Sequence, residues 1–148
     1  MHELKARVAD LAVSTDVIVG FPGETERDFG ESVKLAEDVG FSKLHVFKFS
    51  PRKGTPAAGF NSQIPGDIKE RRSAELIEVG KKLSAQFAAN YIGKTLSVLI
   101  ERVQGKYLSG VSSNYIRVYC EGPQDRIGKL ATVSITGQEE TFLYGKVI

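Results

Sequence analysis

Apolar and polar positions follow two different styles along this chain, and the change falls near residue 91. Ahead of it, continuous β-branched runs alternate with stretches whose apolar residues recur at helical spacing. Asp16-Val17-Ile18-Val19-Gly20-Phe21 is such a run, the mark of a strand buried on both faces. Pro22-Gly23-Glu24 turns the chain, and Thr25 with Asp28 three residues on forms a variant capping box. Phe29, Val33, Ala36 and Val39 line one side of the helix that follows, and Gly40 suits its left-handed stop. Leu44-His45-Val46-Phe47-Lys48-Phe49 is the next strand. Strand, helix and strand in this order predict a parallel βαβ unit with a right-handed crossover.

Ser50 to Pro65 holds three of the five prolines and reads as a loop. Asp67 with Glu70 suggests a second capping box, opening a long helix from Ile68 to about Asn90 with Leu76, Val79, Leu83 and Phe87 on its apolar stripe. After residue 91 the pattern becomes short strands parted by turns: Thr95–Val103, Tyr107–Ser112, Tyr115–Cys120, Gly128–Thr136 and Phe142–Ile148. Five strands in so short a stretch fit a compact OB-like barrel. The fold class is therefore α/β followed by all-β. The expected divisions are 1–66, a connecting helix over 67–90, and a barrel over 91–148.

Two parallel strands with one crossover helix cannot cover both faces of strands as apolar as these. Val17, Val19 and Phe21 point to one side, and Asp16, Ile18 and Gly20 to the other. Neighbouring strands are expected from elsewhere, and Glu3–Asp10 reads as the tail of a helix whose start has been cut away. Incomplete sheet edges of this kind invite self-association. His45, inside an apolar strand, reads as a core histidine, and Tyr107 or Tyr119 as barrel core.

Composition narrows the class. Hydrophobic residues at 41% and charged residues at 26% exclude a disordered chain. No apolar run approaches a membrane span and the N-terminus has no secretory h-region, so a cytoplasmic location is expected, without membrane partners. Residues 1–90 carry equal numbers of acidic and basic side chains, and the whole net charge of +2 falls after residue 90. That permits a polyanion-binding face there. The single cysteine, Cys120, excludes an internal disulfide and any metal or iron–sulfur site built from cysteines of this chain alone. It reads as a small semi-buried residue.

The strand-to-helix turn at Gly20–Thr25 is the most informative stretch. It could cradle a phosphate, yet it lacks the Lys-Ser/Thr pair of a Walker loop and the G-x-G-x-x-G pattern. A plain tight turn explains it equally well. The stretch Ile18-Val19-Gly20-Phe21-Pro22-Gly23-Glu24-Thr25 nevertheless resembles a signature of the radical-SAM tRNA methylthiotransferases, the MiaB-like family. The resemblance continues through Leu44-His45-Val46-Phe47, the loop Phe49-Ser50-Pro51-Arg52-Lys53-Gly54-Thr55-Pro56-Ala57, Gly93-Lys94-Thr95 and Ser113-Asn114-Tyr115-Ile116-Arg117-Val118. It covers the whole chain, and the last segment looks most like the branch acting on threonylcarbamoyladenosine.

The resemblance implies the end of a radical-SAM (β/α) barrel followed by a TRAM domain, an RNA-binding module of OB-like shape. It implies methylthio transfer to C2 of the modified adenosine at position 37 of tRNA, beside the anticodon. Such enzymes use S-adenosylmethionine and two [4Fe-4S] clusters held by six cysteines, none of which stands in this sequence. No catalytic or metal-binding residue is therefore expected here, and the chain by itself should be inactive. Ile18 and Gly20 match part of a strand motif that lies against the adenine of S-adenosylmethionine. Asp16 departs from that motif's first Gly, and Glu24 sits one place late. Phe49 and Ser50 would face the pocket mouth, and Arg52, like Lys53, could meet a phosphate or simply be solvated. For RNA, the barrel offers Lys94, Arg102, Lys106, Tyr115, Arg117 and Lys129: cations for phosphates and an aromatic ring for an unpaired base. Tyr115 and Arg117, two apart on one expected strand, would share a face.

A non-enzymatic RNA-binding protein, its βαβ unit paired with another chain, is the main alternative. A phosphate-loop nucleotide hydrolase is disfavoured by the absent loop lysine.

Overall fold

The computed structural model describes residues 2–8 and 10–148, the side chains of His2 and Lys5 excepted. Ala9, within the segment expected to be helical, lies outside the described residues, as does Met1; the helix α1 spans His2–Arg7. The chain divides into two compact units, Val13–Leu83 and a second formed by Met1–Ala12 with Ser84–Ile148.

In the first unit β1 (Ser14–Val19) and β2 (Lys43–Lys48) pair in parallel, with Val17 opposite Val46 and Ile18 opposite Phe47. Between them runs α2 (Glu26–Val39). Its capping box forms as the sequence predicts: Thr25 Oγ1 accepts from the Asp28 N–H at 3.2 Å, and Asp28 Oδ2 accepts from the Thr25 N–H at 2.9 Å. The long helix α3 (Gly66–Ala89) supplies residues to both units. It already includes Gly66, so Asp67 lies in its first turn, and Glu70 pairs with Lys48 at 2.5 Å; the expected Asp67–Glu70 capping box does not form. Phe29 and Ala36 from α2, Leu76 and Leu83 from α3 and Val19 from β1 make one buried cluster, with Val17, Leu44 and Val46 packed against it. A fully buried Leu76 alone contributes about 1.5–3 kcal/mol of apolar transfer.

Both helices therefore cover the same face of the two strands. The other face bears Ile18 and Phe47, more than half exposed, next to the exposed pair Asp16 and His45. His45 is thus no core residue: strand alternation sends it to the uncovered side.

In the second unit five strands close a barrel in the order β3 (Thr95–Gln104), β4 (Tyr107–Ser112), β5 (Arg117–Glu121), β7 (Phe142–Val147), β6 (Leu130–Glu139). All pairs are antiparallel except β5 with β7. Alternate residues point inward, so Val98, Ile100, Leu108, Val118, Val133 and Leu143 fill the interior with Tyr91 beneath them. Register shifts between Ile100 and Arg102 and between Ile135 and Gly137 help the sheet bend into closure. Cys120 is not semi-buried but wholly enclosed in this interior, and burial pushes its thiol pKa up.

Candidate functional site

The strand-to-helix turn of the first unit is built around a carboxylate. At Gly20 the backbone turns left-handed (φ +71), and its N–H donates to Glu24 Oε2 at 2.7 Å. The same oxygen accepts from Arg72 Nη1 at 2.5 Å, while Arg72 Nη2 reaches Glu26 at 2.7 Å. The Arg72 side chain is 3% exposed and that of Glu24 11%, so their ion pair is largely cut off from water. Burial works against the charge on Arg72, and hydrogen bonds to Glu26 and Glu24 more than compensate, leaving its pKa above the ordinary value. Arg72 lies four residues before Leu76 on the inward stripe of α3, an offset that the sequence displays and that reading for apolar periodicity passes over.

A Cβ on Gly20 would stand 2.4 Å from Lys69 Cγ. Close backbone approach at Gly20, expected for a cofactor, is made here by the chain's own lysine. Lys69 then donates to the Phe49 carbonyl at 3.1 Å and lies over the Phe49 ring. Phe49 packs edge-on against Phe21 at 5.1 Å, and Phe21 against Phe60. Ser50 and Arg52 are exposed beside this aromatic group in the chain, and Ile18 lies on the uncovered sheet face.

On the barrel, the β4–β5 connection is a tight, braced turn. Ser112 Oγ donates to Asn114 Oδ1 at 2.6 Å and accepts from the Ile116 N–H at 3.0 Å, and the Tyr115 N–H donates to the Ser112 carbonyl. Tyr115 is held at φ +64 and stands 85% exposed. It is therefore a turn residue, not part of the strand, because β5 begins only at Arg117; the shared strand face expected for the two does not exist. A non-glycine residue costs energy in this conformation, and exposing an aromatic ring there offers no burial in return.

Over its full length the chain is 39% identical to a tRNA-2-methylthio-N(6)-dimethylallyladenosine synthase of Clostridium botulinum, across 156 aligned residues. The corresponding enzyme of Aquifex aeolicus is 36% identical, again over the whole chain, and the match takes up 34% of either relative. These segments are the C-terminal ones. The chain is homologous to the C-terminal third of tRNA methylthiotransferases. The threonylcarbamoyladenosine tRNA methylthiotransferase MtaB of Bacillus subtilis is 37% identical over 91% of the chain and 31% of its own length. Identities of 39% and 37% do not separate the two branches of methylthiotransferase. No family model matches the chain.

Along the chain the candidate RNA residues are dispersed. Lys94 lies over the Tyr91 ring at 5.4 Å, and Arg117 is bound to Glu101 and reaches Ser109 at 3.5 Å. Arg102 and Lys129 are exposed, and Lys106 lies over the Tyr107 ring. Neither Tyr107 nor Tyr119 is barrel core; both are half-buried on the outer wall, because their strands point Leu108, Val118 and Cys120 inward instead. Among the described residues no cluster of three or more His, Cys, Asp or Glu is placed to hold a metal ion. No helix of the described residues is long and apolar enough to cross a membrane.

Proposed function

We propose that this chain is the C-terminal part of an enzyme that transfers a methylthio group to C2 of the modified adenosine at position 37 of tRNA. In this reading the barrel is a TRAM domain that grips the anticodon region, and the βαβ unit is the end of a radical-SAM barrel. The observation that carries the RNA half is Tyr115, an aromatic ring held in a strained backbone conformation, braced from below and left in solvent. An unpaired base stacks on such a ring.

The uncovered sheet face supports the other half. Asp16, Ile18, His45 and Phe47 form a mixed polar and apolar surface of the kind that lines a barrel interior, and Ile18 and Phe47 offer an apolar plane to an adenine. Ile18, Phe49, Ser50 and Arg52 would hold S-adenosylmethionine there, with Gly20 and Glu24 fixing the turn rather than touching the cofactor. S-adenosylmethionine bound to a reduced iron–sulfur cluster supplies the radical chemistry. The clusters do not fit this chain: its one thiol is sealed inside the barrel with its pKa raised, so their ligands belong to other residues.

Binding of a fluorescent anticodon stem-loop to the chain, followed by anisotropy at rising salt, tests the reading. Replacing Lys94, Tyr115 and Arg117 together by Ala is expected to weaken binding at least tenfold and to flatten the salt dependence. A loss of less than twofold would remove the assignment of this surface.

A further inference from the structure

The outer wall of the barrel carries a second feature, whose rings the proposed function does not use. Tyr107 from β4, Tyr119 from β5, and Phe142 and Tyr144 from β7 gather side by side, with ring centres 5.6 Å apart for Tyr107 and Tyr144 and 5.7 Å apart for Tyr119 with Phe142 and with Tyr144. They line a cleft of about 380 Å³ whose remaining walls include Glu139 and Glu140.

Three observations bear on what enters it. The lining contains no lysine or arginine, although this half of the chain holds the whole net positive charge. A phosphate group would meet two carboxylates in that lining and no cation of the lining itself. Secondly, the ring of Tyr107 already carries a cation, since Lys106 Nζ lies 5.0 Å from its centre. Thirdly, the acid is delivered at a conformational cost. Glu140, at the tip of the β6–β7 hairpin, adopts φ +51, where Gly, Asn or Asp is the usual choice. Gln138 braces that tip by donating to the Glu140 carbonyl and to the Ala85 carbonyl. Beside it, Tyr144 Oη donates to Glu139 Oε2 at 2.8 Å, fixing that carboxylate against the rings.

Aromatic faces beside paired carboxylates form a receptor for a delocalised, weakly hydrated positive charge, and the Tyr107 ring, already under Lys106, shows that these faces accept a cation. A guanidinium fits both halves, stacking flat on tyrosine while donating to a carboxylate. We propose that this cleft binds an arginine side chain of a partner protein, at a site separate from the RNA-binding turn. The inference stands without the tRNA reading, because none of the residues lining the cleft belongs to the candidate RNA set.

The test is a titration of the 148-residue chain with N-acetyl-arginine amide, followed by the ring resonances of its tyrosines. Tyr91 and Tyr115, outside the cleft, serve as internal references. Shifts confined to Tyr107, Tyr119 and Tyr144, with binding at least fivefold tighter than that of the uncharged citrulline amide, are expected. The double variant Glu139→Gln, Glu140→Gln should lose that preference while the Tyr91 signal stays in place, which shows that the barrel is still folded. Equal binding of the arginine and citrulline derivatives would overturn the proposal. Tighter binding of uridine monophosphate to the same rings would also overturn it and assign the cleft to RNA bases.

Discussion

Arg72 and Glu24, 48 residues apart, meet at 2.5 Å inside the first unit, and the arginine also donates to the Glu24 carbonyl at 3.1 Å. A helix that arrives late in the chain thereby fastens the turn in which the first strand ends. One Arg72 atom, Nε, is buried without a hydrogen-bond partner, so the pair is held at some desolvation cost.

Breaking that pair from one side should be severe. Arg72→Met leaves the Glu24 carboxylate largely buried without its cation and is expected to destabilise the first unit by about 3–5 kcal/mol, whereas Glu24→Gln should cost less because Arg72 keeps Glu26. The double variant should cost clearly less than the sum. Urea dependence of amide exchange in β1 and α2 measures both; additive losses would show that the two side chains do not act on each other.

The proposed stacking at Tyr115 predicts that stability and RNA affinity move in opposite directions there. Tyr115→Gly removes the left-handed strain of roughly 1–2 kcal/mol while loosening the unfolded chain, so the barrel should be as stable as before or up to about 1 kcal/mol more so. Stem-loop affinity should nevertheless drop about tenfold, within the ~1–3 kcal/mol that stacking on one base contributes. A variant that is more stable and binds undiminished would exclude stacking at this position.

Acid should loosen the first unit before the barrel. Hydrogen bonds from Arg71, then Arg72, hold Glu26 below its ordinary pKa of 4.5, and the capping bonds of Thr25 hold Asp28 below 3.8. Both folded values lie under the unfolded ones, so the stabilisation is present above about pH 5 and is lost as pH falls through the folded values. Glu26→Gln with Asp28→Asn should flatten the pH dependence of α2 amide exchange between pH 5 and 3. Thr25→Ala should cost about 1 kcal/mol at neutral pH through the lost cap.

The uncovered sheet face predicts association. At tens of micromolar the chain should sediment as a concentration-dependent mixture, since Ile18 and Phe47 lie together in solvent on neighbouring strands. Ile18→Lys with Phe47→Lys should shift it towards monomer without lowering stability, as neither side chain is buried.

Close approach inside the barrel gives the sharpest steric test. A Cβ on Gly110 would fall 2.3 Å from the Leu99 carbonyl oxygen and 2.7 Å from Val98 Cγ1, so Gly110→Ala should cost about 1–3 kcal/mol or more. Urea melts followed by barrel amide exchange would measure it.

Much of this was legible in the sequence because local chemistry and tertiary structure agree. The Thr25–Asp28 cap, the parallel strand pair and the five-stranded barrel follow from turn residues and apolar periodicity. Four features were not legible, each for a physical reason. His45 sits in an apolar run, and a run buried on both faces looks the same as one with a face left open. Tyr115 precedes β-branched residues that favour a strand, but the Ser112 side chain competes for the backbone and turns it. Arg72 lies on an apolar stripe, and only the fold brings it to Glu24. The aromatic cleft was equally hidden, since its rings come from three strands whose neighbourhood depends on barrel closure.

The lone cysteine gives the molecule a built-in clock. Cys120 has no exposed surface, and it lies in one unit only. A maleimide therefore attaches only at moments when the barrel comes apart, and the labelling rate at low reagent counts those moments in the intact chain. The thiol thus reports on the barrel by itself, where optical melts superimpose the motions of both units.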